Sequence, residues 1–431
     1  MSFNQYTWDL YKQTTIGIEM IKYFSDAGGY VLFKDYCPYA NFIPEDLYND
    51  WLENIYCYGV SDYDHPSSLE EAKDLYISLI TLGIRVEGQQ WLPANDFKNM
   101  LGIIQPMSYV LSQFAPEYFF PYLFLCRIFE LNKIADFFNI DLPNIPKRTD
   151  YKGRCMYYWE LCEVFYLFRK ENGLSPADLW SFLYDFAPNN LPSEKIDMPK
   201  PSQVWFIGGR LYQEDKSLES KFWQSSPETK KGDILVHYET SPISAITCIE
   251  ISLTDGVIDP LFRYYGCIYI GNRINIPHIT LKELQTDEYF FKHPLVRKNF
   301  QGVNGWSVNS ENYSELLRMI KTKGFDIEVL PKLYAPTLPK DVIIEYEHDV
   351  EQQLLEPLLN SMGWYENKDF IRQLPIQAGR GHRIFPDYAL HYGNKPNEER
   401  AKVLIEAKLC MRNNKEREEA YLQARSYARL L

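Results

Sequence analysis

The chain of 431 residues is 45% apolar and 16% aromatic, which is enough to form the cores of two or three domains. Its formal net charge of -13 excludes a protein whose whole surface coats nucleic acid, because phosphate binding needs clustered lysine and arginine. After Gly379, however, basic residues outnumber acidic ones, so we expect the C-terminal end to contact the phosphates of a nucleic acid.

The cysteines and the N-terminus indicate a cytoplasmic protein. The 8 cysteines are scattered, with no C-x-x-C pair and no histidine at the spacing of zinc ligands, so we expect reduced, mostly buried thiols. The first residues, MSFNQYTWDL, lack a basic flank followed by an apolar run, and no segment has the length needed to cross a bilayer. We therefore expect no membrane as a partner.

Residues 1–195 are predicted to form an all-α domain. In SSLEEAKDLYISLITLG, Ser68 and Glu71 have the spacing of a capping box, and Gly83 suits the end of the helix. The prolines at the boundary after this domain are too dense for a helix or a central strand, and they are Pro188, Pro192, Pro199 and Pro201.

The segment MYYWELCEVFYLFRKENGLSPADLWSFLYDFAP predicts two helices joined by a turn. Residues 172–173, Asn-Gly, end the first helix, and Ser175 caps the second. The second helix carries Asp178 and Asp185 and no basic residue, which favours a plain αα-hairpin over a DNA-reading helix-turn-helix. We expect the helical region to serve as a dimer or partner surface.

Residues 196–333 are predicted to form a mostly β domain with a few helices. The runs GDILVHY, ISAITCIEISL and CIYIGNRINI are rich in β-branched residues and are bounded by turn formers. Short helices are predicted at TLKELQ and at SENYSELLRMIKTKG, where Ser310 would cap the helix and Gly324 would end it.

After a second proline-dense stretch, residues 338–431 are predicted to form a small α/β domain. YEHDVEQQLLEPLLNSMGW predicts an amphipathic helix that ends at Gly363, with a kink at Pro357. FIRQLPIQAGRGHRIFPDYALHY predicts two strands joined by the turn AGRG, KVLIEAKL predicts a third strand, and EREEAYLQARSYARLL predicts a final helix.

Two carboxylates and one ammonium are expected to converge at the end of the third strand. Because side chains alternate along a strand, Glu406 and Lys408 share one face, and Asp387 stands on the strand expected beside them. Carboxylate oxygens are ligands that Mg²⁺ prefers, and a nearby ammonium can orient water or stabilise an anionic transition state. Phosphodiester hydrolysis is a reaction that uses all three groups.

The Pro-Asp at residues 386–387 and the E-A-K at residues 406–408 resemble the PD-(D/E)xK nuclease superfamily. The sequence is similar in particular to the nuclease domain at the N-terminus of type I restriction-enzyme R subunits. The resemblance implies that Asp387 and Glu406 hold Mg²⁺ or Mn²⁺ and that Lys408 assists the attacking water. It also implies a restriction-endonuclease-like fold for the C-terminal domain.

Further residues match that family. Gln423 and Tyr427 have the spacing of its Q-x-x-x-Y motif, which implies that Gln423 supports the site. The family also has a glutamate in the leading helix, for which Glu351 is the first choice and Glu347 the second. The family fold continues beyond the Q-x-x-x-Y helix with a strand and a helix, so this chain is either part of a longer protein or completes its core differently.

Other charged residues near the motif have simpler interpretations. Arg380 and Arg383, in and beside the glycine-rich turn, are expected to contact the DNA backbone. His382 and His391 are expected to be turn or surface residues and not general bases. Pro-Asp and E-x-K are common by chance, and a pair of Glu406 and Lys408 on the surface would contribute under about 1 kcal/mol to stability.

The middle region resembles the PUA-like superfamily, specifically EVE-type domains related to YTH readers, through FWQSSPETKKGDILVHYETSPISAITCIEIS, INIPHITLKEL and FQGVNGWSVNSENYSELL. The resemblance implies a pocket that holds one nucleobase, often modified, between aromatic side chains. The candidate walls are Trp223, Tyr238 and Trp306, and the residues that could read the base edge are Gln224, Ser225 and Asn304.

These observations predict a modification-dependent restriction-type endonuclease that cuts DNA with Mg²⁺ or Mn²⁺. The main alternative is a reader or regulator whose nuclease-like domain only binds nucleic acid. RNA as the substrate is a third hypothesis, since related reader folds serve both polymers. A duplex-translocating motor is not indicated, because the sequence contains no G-x-x-x-x-G-K-[ST] phosphate loop.

Overall fold

The computed structural model describes residues 3–37, 40, 43–86, 89–192, 198–210, 220–334, 342–379, 382–395, 399–411 and 414–431. A helical N-terminal region is followed by a mixed β-sheet and by a small C-terminal α/β part. Two compact units are formed: the first comprises Met1–Ile196, Leu218–Pro227 and Gly256–Tyr269, and the second comprises Asp197–Ser217, Glu228–Asp255 and Ile270–Leu431. The three domains 1–195, 196–333 and 338–431 stay predictions.

The N-terminal region is helical, as predicted. Its helices are α1 (Gln5–Gln13), α2 (Thr15–Asp26), α3 (Gly29–Tyr36), α4 (Glu45–Ile55), α5 (Leu69–Leu82), α6 (Phe97–Met100), α7 (Ile104–Phe114), α8 (Ile128–Phe138), α9 (Tyr151–Glu171), α10 (Pro176–Ser181) and α11 (Ala187–Asn190). Shorter helical turns follow several of them, of the π type at Tyr56–Val60 and Phe182–Phe186 and of the 3-10 type at Leu101–Ile103.

A short antiparallel hairpin, β1 (Ile84–Val86) and β2 (Gln89–Leu92), is an exception to the all-α prediction. It follows α5 directly, because Gly83 leaves the helix with a φ of +74°. A Cβ at Gly83 would also lie 2.4 Å from the carbonyl oxygen of Leu92. Only glycine therefore allows the chain to turn back here.

The predicted helix ends are mostly confirmed. Ser68 caps α5 by accepting a hydrogen bond from the Glu71 amide at 3.2 Å, although the Glu71 carboxylate turns to the amide of Ser67 instead of completing a capping box. Ser175 and Asp178 do form a complete capping box at the start of α10. The turn predicted between α9 and α10 is therefore present, with Asn172 ending α9 and Ser175 capping α10.

Aromatic side chains build the core of the first unit. Trp8, Tyr76, Tyr158 and Trp159 are fully buried there. Their polar atoms are partly satisfied within the core, since the Tyr76 hydroxyl donates to the carbonyl of Cys155 at 2.6 Å and the Tyr158 hydroxyl to a carbonyl at 2.8 Å. The high aromatic content therefore serves packing in this unit.

The mixed sheet contains one parallel strand pair among antiparallel ones. Its strands are β3 (Val204–Gly209), β4 (Ser220–Gln224), β5 (Ile234–Glu239), β6 (Ala245–Ser252), β7 (Val257–Ile258), β8 (Gly266–Thr280) and β9 (Trp306–Val308). In the second unit β3 pairs parallel with β5 and antiparallel with β9, and β6 pairs antiparallel with β5 and β8. The three predicted strands are confirmed, and β8 is longer than expected because it continues through Pro277 to Thr280.

The helices that follow in the second unit are α12 (Leu281–Thr286), α13 (Pro294–Arg297) and α14 (Ser310–Thr322). One sheet face forms a core with α14 through residues such as Val236, Ile249 and Ile320. The prediction that Ser310 caps α14 is wrong by one residue: the side chain of Asn309 accepts from the Asn312 amide at 2.7 Å, because an Asn oxygen caps as well as a Ser hydroxyl.

The turn before β5 is organised by a buried carboxylate. Asp233 accepts hydrogen bonds from the Lys230 amide at 2.8 Å, the Gln203 amide at 3.1 Å and the Trp205 indole nitrogen at 2.9 Å. Burial raises the pKa of Asp233 to about 6, although these donors oppose the shift. The turn is thereby fixed, and with it the position of Lys230.

The C-terminal part is a small α/β structure. It contains α15 (Glu347–Asp349), a π-helical segment (Val350–Leu355), α16 (Glu356–Ser361), β10 (Phe370–Arg372), β11 (Ile376–Gly379), β12 (His382–Ile384), β13 (Tyr388–Leu390), β14 (Val403–Ile405) and α17 (Asn414–Ala428). Strands β10, β13 and β14 form an antiparallel sheet in that order, and β11 and β12 form a separate hairpin.

Two predictions for this part need correction. Four short strands replace the two expected before Tyr392, because Gln373, with a φ of +50°, ends β10 early and the hairpin β11–β12 follows. Strand β14 stops at Ile405, so Glu406 and Lys408 lie just beyond it. The interruption expected at Pro357 takes the form of the π-helical segment before it, since proline has no N–H to continue the α-helical ladder.

The prediction that most of the cysteines are buried is confirmed. All eight cysteines are free thiols, and six of them are buried while Cys57 and Cys410 are exposed. Among the described residues there is also no helix with the length and apolar character that a membrane-spanning segment needs.

Within the second unit, ion pairs connect the sheet to the C-terminal part. Lys230 contacts Asp369, and both side chains are largely buried. A second pair joins Lys402 to Glu228, and an exposed third pair joins Lys368 to Asp255 at 3.2 Å. A buried pair of this kind constrains the structure strongly, because either charge alone would be costly to bury.

We expect Asp369→Asn to destabilise the C-terminal part by about 3–5 kcal/mol, because it leaves Lys230 buried without its counter-charge. Hydrogen exchange of the β10 and β13 amides measures this loss. Lys368→Ala, which breaks only the exposed pair, should cost under about 1 kcal/mol. Equal effects of the two substitutions would contradict the importance of the buried pair.

Candidate active site

Asp387 lies directly before β13 and faces the end of β14. Tyr388 pairs with Ile405 in the antiparallel register, so the next positions outward, Asp387 and Glu406, stand opposite each other. The Oδ2 atom of Asp387 accepts a hydrogen bond from the backbone amide of Ala407 at 2.6 Å. This bond fixes the aspartate beside the E-A-K segment.

Glu406 has only 9% of its side chain exposed. Its Oε1 atom accepts from Gln423 and lies 3.3 Å from Lys408 Nζ. Its Oε2 atom is buried and has no hydrogen-bond partner among the described residues. Burial first, and then the charge of Asp387, raise the pKa of Glu406, although Lys408 opposes the shift.

Lys408 approaches two carboxylates. Besides Glu406, its Nζ atom lies 3.9 Å from Glu347 Oε1, and 23% of the lysine side chain is exposed. The expectation that Glu406 and Lys408 meet because they alternate along a strand gives the wrong reason, since β14 ends at Ile405. The two side chains nevertheless meet beyond the strand end.

Helix α17 contributes the Q-x-x-x-Y residues. Gln423 and Tyr427 are four positions apart on the helix, and the Gln423 side-chain nitrogen lies 3.0 Å from the Tyr427 hydroxyl oxygen. The same nitrogen contacts Glu406 Oε1. Gln423 therefore holds one oxygen of Glu406 and leaves the other oxygen unengaged.

The leading helix offers two glutamates with different partners. Glu351, the first choice from the sequence, forms an ion pair with Arg372 at 2.9 Å, and Arg372 also contacts Glu356 at 2.8 Å. Glu347, the second choice, is the one that reaches Lys408. Sequence reasoning missed Arg372, for which the only signal is its place on β10 opposite Tyr388.

The predicted DNA-backbone arginines are only partly described. Arg383 is exposed on β12, whereas Arg380 lies outside the described residues. His382 is exposed on the same strand. His391 packs against Trp364 with ring centroids 4.8 Å apart, and burial lowers the pKa of its imidazole.

The candidate walls of the base pocket lie in different surroundings. Tyr238 is buried and stacks on Phe300, with ring centroids 4.0 Å apart and planes 3° from parallel. Trp306 is half-buried in β9, at 6.4 Å from the His293 ring. Trp223 is half-buried in β4, which belongs to the first unit. One face of Tyr238 is thus already occupied.

The residues expected to read a base edge also make contacts within the protein. Asn304 Oδ1 accepts from the Gly208 amide at 2.7 Å. The Ser225 amide donates to the Gly266 carbonyl at 3.3 Å, and Gln224 ends β4. Asn304 is half-buried and borders Trp306 along the chain.

The donor set at Asp387 and Glu406 suits a hard divalent cation. One carboxylate oxygen of Glu406 is buried without a hydrogen bond from the described residues, which is a costly state for an ionised carboxylate. A second carboxylate lies beside it and raises its pKa. A cation bound between the two carboxylates would contact the unpartnered oxygen of Glu406 and would offset the repulsion between the two negative charges.

Comparisons with known proteins add little. No family model matches the sequence, and no curated protein matches it. Solved structures similar to part of the chain include the NMR structure of Rpa0253 from Rhodopseudomonas palustris, with 13% identity and a TM-score of 0.25 over 28% of this chain and 94% of that one. A hypothetical protein from Leishmania major has 11% identity and a TM-score of 0.24 over 29% and 98%. These scores are too low to carry an argument.

We expect Glu406→Gln to stabilise β13 and β14 in the absence of divalent cations. Folding raises the pKa of Glu406, so ionisation of its carboxyl group destabilises the folded state. This destabilisation is absent below the pKa of Glu406 in the unfolded chain, about 4.3, and is complete above its pKa in the folded protein. In chelator, the strand amides of the variant should therefore exchange more slowly than those of the unmodified protein at the same pH, and this ratio should grow as pH rises from 4 to 8. A difference independent of pH, or one shared by the exposed control Glu418→Gln, would contradict this.

Proposed function

We propose that the C-terminal part hydrolyses phosphodiester bonds of DNA with the help of Mg²⁺ or Mn²⁺. The observation that carries the proposal is the buried Glu406 Oε2 atom, which has no hydrogen-bond partner among the described residues although Asp387 and Lys408 are adjacent to Glu406. A structural carboxylate at such a depth would normally have all its oxygens satisfied.

Asp387 and Glu406 would hold the cation, through oxygens of the type that Mg²⁺ prefers. When bound, the cation supplies a water of lowered pKa and neutralises charge on the phosphate. The side chain of Asp387 keeps its orientation through the Ala407 amide, and Glu406 keeps its orientation through Gln423. Both carboxylates are thus positioned before any ligand arrives.

Lys408 would orient the attacking water and stabilise the anionic transition state. Its Nζ atom lies between Glu406 and Glu347, which hold it at the site, and part of its side chain is exposed to an incoming phosphate. Of the two glutamates in the leading helix, we assign Glu347 to the site because it lies beside Lys408. Glu351 supports the site indirectly through Arg372. Arg380 and Arg383 are proposed to contact the DNA backbone.

We propose that the mixed sheet recognises a modified base, which would make the protein a modification-dependent restriction-type endonuclease. The support is the resemblance of the sheet region to EVE-type PUA-like domains. Trp306 is half-buried, so part of its ring can stack on a base, whereas Tyr238 contributes to the core beside Phe300. The helical region is proposed as a dimer or partner surface, which exposed Ile16 and Ile18 support.

We expect the full chain to cleave DNA bearing 5-methylcytosine or hydroxymethylcytosine in the presence of Mg²⁺, and to leave unmodified DNA intact. Asp387→Ala and Lys408→Ala should each lower the cleavage rate by at least about 100-fold while DNA binding persists, because transition-state stabilisation is lost and the binding surface is not. Gel-based cleavage and fluorescence anisotropy measure the two properties.

Lys415→Ala, which removes an exposed lysine of α17, is the matched control and should cut normally. Undiminished cutting by Asp387→Ala or Lys408→Ala would refute the assignment. Binding without cleavage of any DNA would favour a non-catalytic reader. Cleavage of RNA in preference to DNA would change the proposed substrate.

We expect Gln423→Ala to weaken cation binding by about 10–100-fold, because residues that orient a metal ligand have effects of this size. Titration of Mn²⁺ followed by electron paramagnetic resonance measures the affinity directly, without the need for turnover. Gln352→Ala, at an exposed position of the π-helical segment, should leave the affinity unchanged. Equal affinities of the Gln423→Ala variant and the unmodified protein would contradict the proposed role of Gln423.

A further inference from the structure

Three buried side chains of different chemistry meet within the mixed sheet, far along the chain from the nuclease-like motif. His237 on β5 pairs directly with Cys248 on β6, and Glu250 follows two positions later on the same side of β6. One donor atom from each residue lies within 4.8 Å of the other two. The exposed fractions of His237, Cys248 and Glu250 are 0%, 0% and 2%.

We propose that His237, Cys248 and Glu250 form a buried zinc site. An imidazole nitrogen, a thiolate sulfur and a carboxylate oxygen are the three donor types that zinc binds in proteins. The sulfur argues against Mg²⁺ and Ca²⁺, which take oxygen ligands. The three ligands are buried on two neighbouring strands, so the ion would cross-link β5 and β6, and the site is independent of the cation proposed at Asp387.

The distances are close to those that a tetrahedral ion needs. His237 Nδ1 lies 3.0 Å from Glu250 Oε2. Zinc with bonds of about 2.0 Å to nitrogen and oxygen would separate two ligand atoms by about 3.3 Å, so this pair needs to open only slightly. The Cys248 sulfur, within 4.8 Å, can approach by rotation about its single side-chain torsion.

The surrounding charges support a metal-bound carboxylate. Arg273 contacts the other oxygen of Glu250, Oε1, at 2.8 Å, and thus fixes the carboxylate with Oε2 directed toward His237. Carboxylates that bind a metal are commonly held by such a second hydrogen bond. Thiolate and carboxylate together balance the two positive charges of zinc, and a water can take the fourth position.

Binding requires Cys248 to lose its proton. Burial raises the pKa of the Cys248 thiol to about 12, so in the metal-free protein the thiol is neutral. When zinc binds, the sulfur–hydrogen bond breaks, the sulfur–zinc bond forms, and the proton passes to solvent. His237 binds as neutral imidazole through Nδ1, with its proton on Nε2. No oxidation or reduction occurs.

A metal-free alternative makes a different prediction for the cysteine. Glu250 is joined to both Arg273 and His237 without Cys248, whose described contact is a weak one of 4.0 Å with Thr247. In that network the thiol is a small apolar residue, and replacing it would change no metal content. Only the zinc site needs the sulfur.

The test uses the full chain carrying Cys57→Ser and Cys410→Ser, which removes the two exposed thiols that could bind metal adventitiously. After purification without chelator, we expect about one zinc per chain by mass spectrometry, and a sulfur-to-metal charge-transfer band when cobalt replaces zinc. Zinc-edge X-ray absorption should give one sulfur among lighter ligands.

Adding Cys248→Ser should reduce the zinc content to near zero and abolish the charge-transfer band. Cys162→Ser, at a buried cysteine of the first unit, should keep both. Absence of zinc and of cobalt binding in the parent protein would overturn the proposal, and so would binding that survives Cys248→Ser. The X-ray absorption result stands even if Cys248→Ser does not fold, since spectra without sulfur ligation overturn the proposal by themselves.

Discussion

The antiparallel register between β13 and β14 is the constraint on which the candidate active site depends. Pairing of Tyr388 with Ile405 sets Asp387 opposite Glu406, and the hydrogen bond from the Ala407 amide to Asp387 locks the two segments together. A shift by one residue would turn the side chains of the strand to the other face of the sheet. Lys408 and Gln423 then join the site through Glu406, so their positions follow from the same pairing.

Buried carboxylates in this protein differ in how completely they are satisfied. Burial raises the pKa of both Asp233 and Asp259 to about 6, yet each accepts several hydrogen bonds that involve both oxygens. Burial also raises the pKa of Glu406, but only its Oε1 atom has described partners. Carboxylates with hydrogen bonds to both oxygens organise turns. A carboxylate that lacks a hydrogen bond to one oxygen and lies beside a second carboxylate is suited to bind a ligand.

The sheet shows how composition alone leaves the role of a residue undecided. Aromatic side chains can serve cores, interfaces or base stacking, and Tyr238 was predicted to line a pocket. In the structure it stacks on Phe300 inside the core, while Trp306 stays half-buried. The packing of a ring depends on which segments fold over it, and residues 238 and 300 are too far apart in sequence for local patterns to connect them.

The sequence by itself determined the features that depend on a few neighbouring residues. The end of a helix at Gly83, the cap at Ser175 and the spacing of Gln423 and Tyr427 all follow from local backbone geometry and hydrogen bonding within one turn. Strand periodicity likewise located β5, β6 and β8, and the motif residues Asp387 and Glu406 were identified from their spacing and flanking strands.

Only the tertiary structure decided which side chains meet. Glu347 and Glu351 are four residues apart and would share a face of a regular helix. Local spacing therefore cannot tell that Arg372 of β10 engages Glu351 while Lys408 approaches Glu347. The meeting of His237, Cys248 and Glu250 was equally hidden, because their spacing matches no local ligand motif. Strand pairing joins residues distant in sequence, and that pairing is set by the packing of the whole sheet.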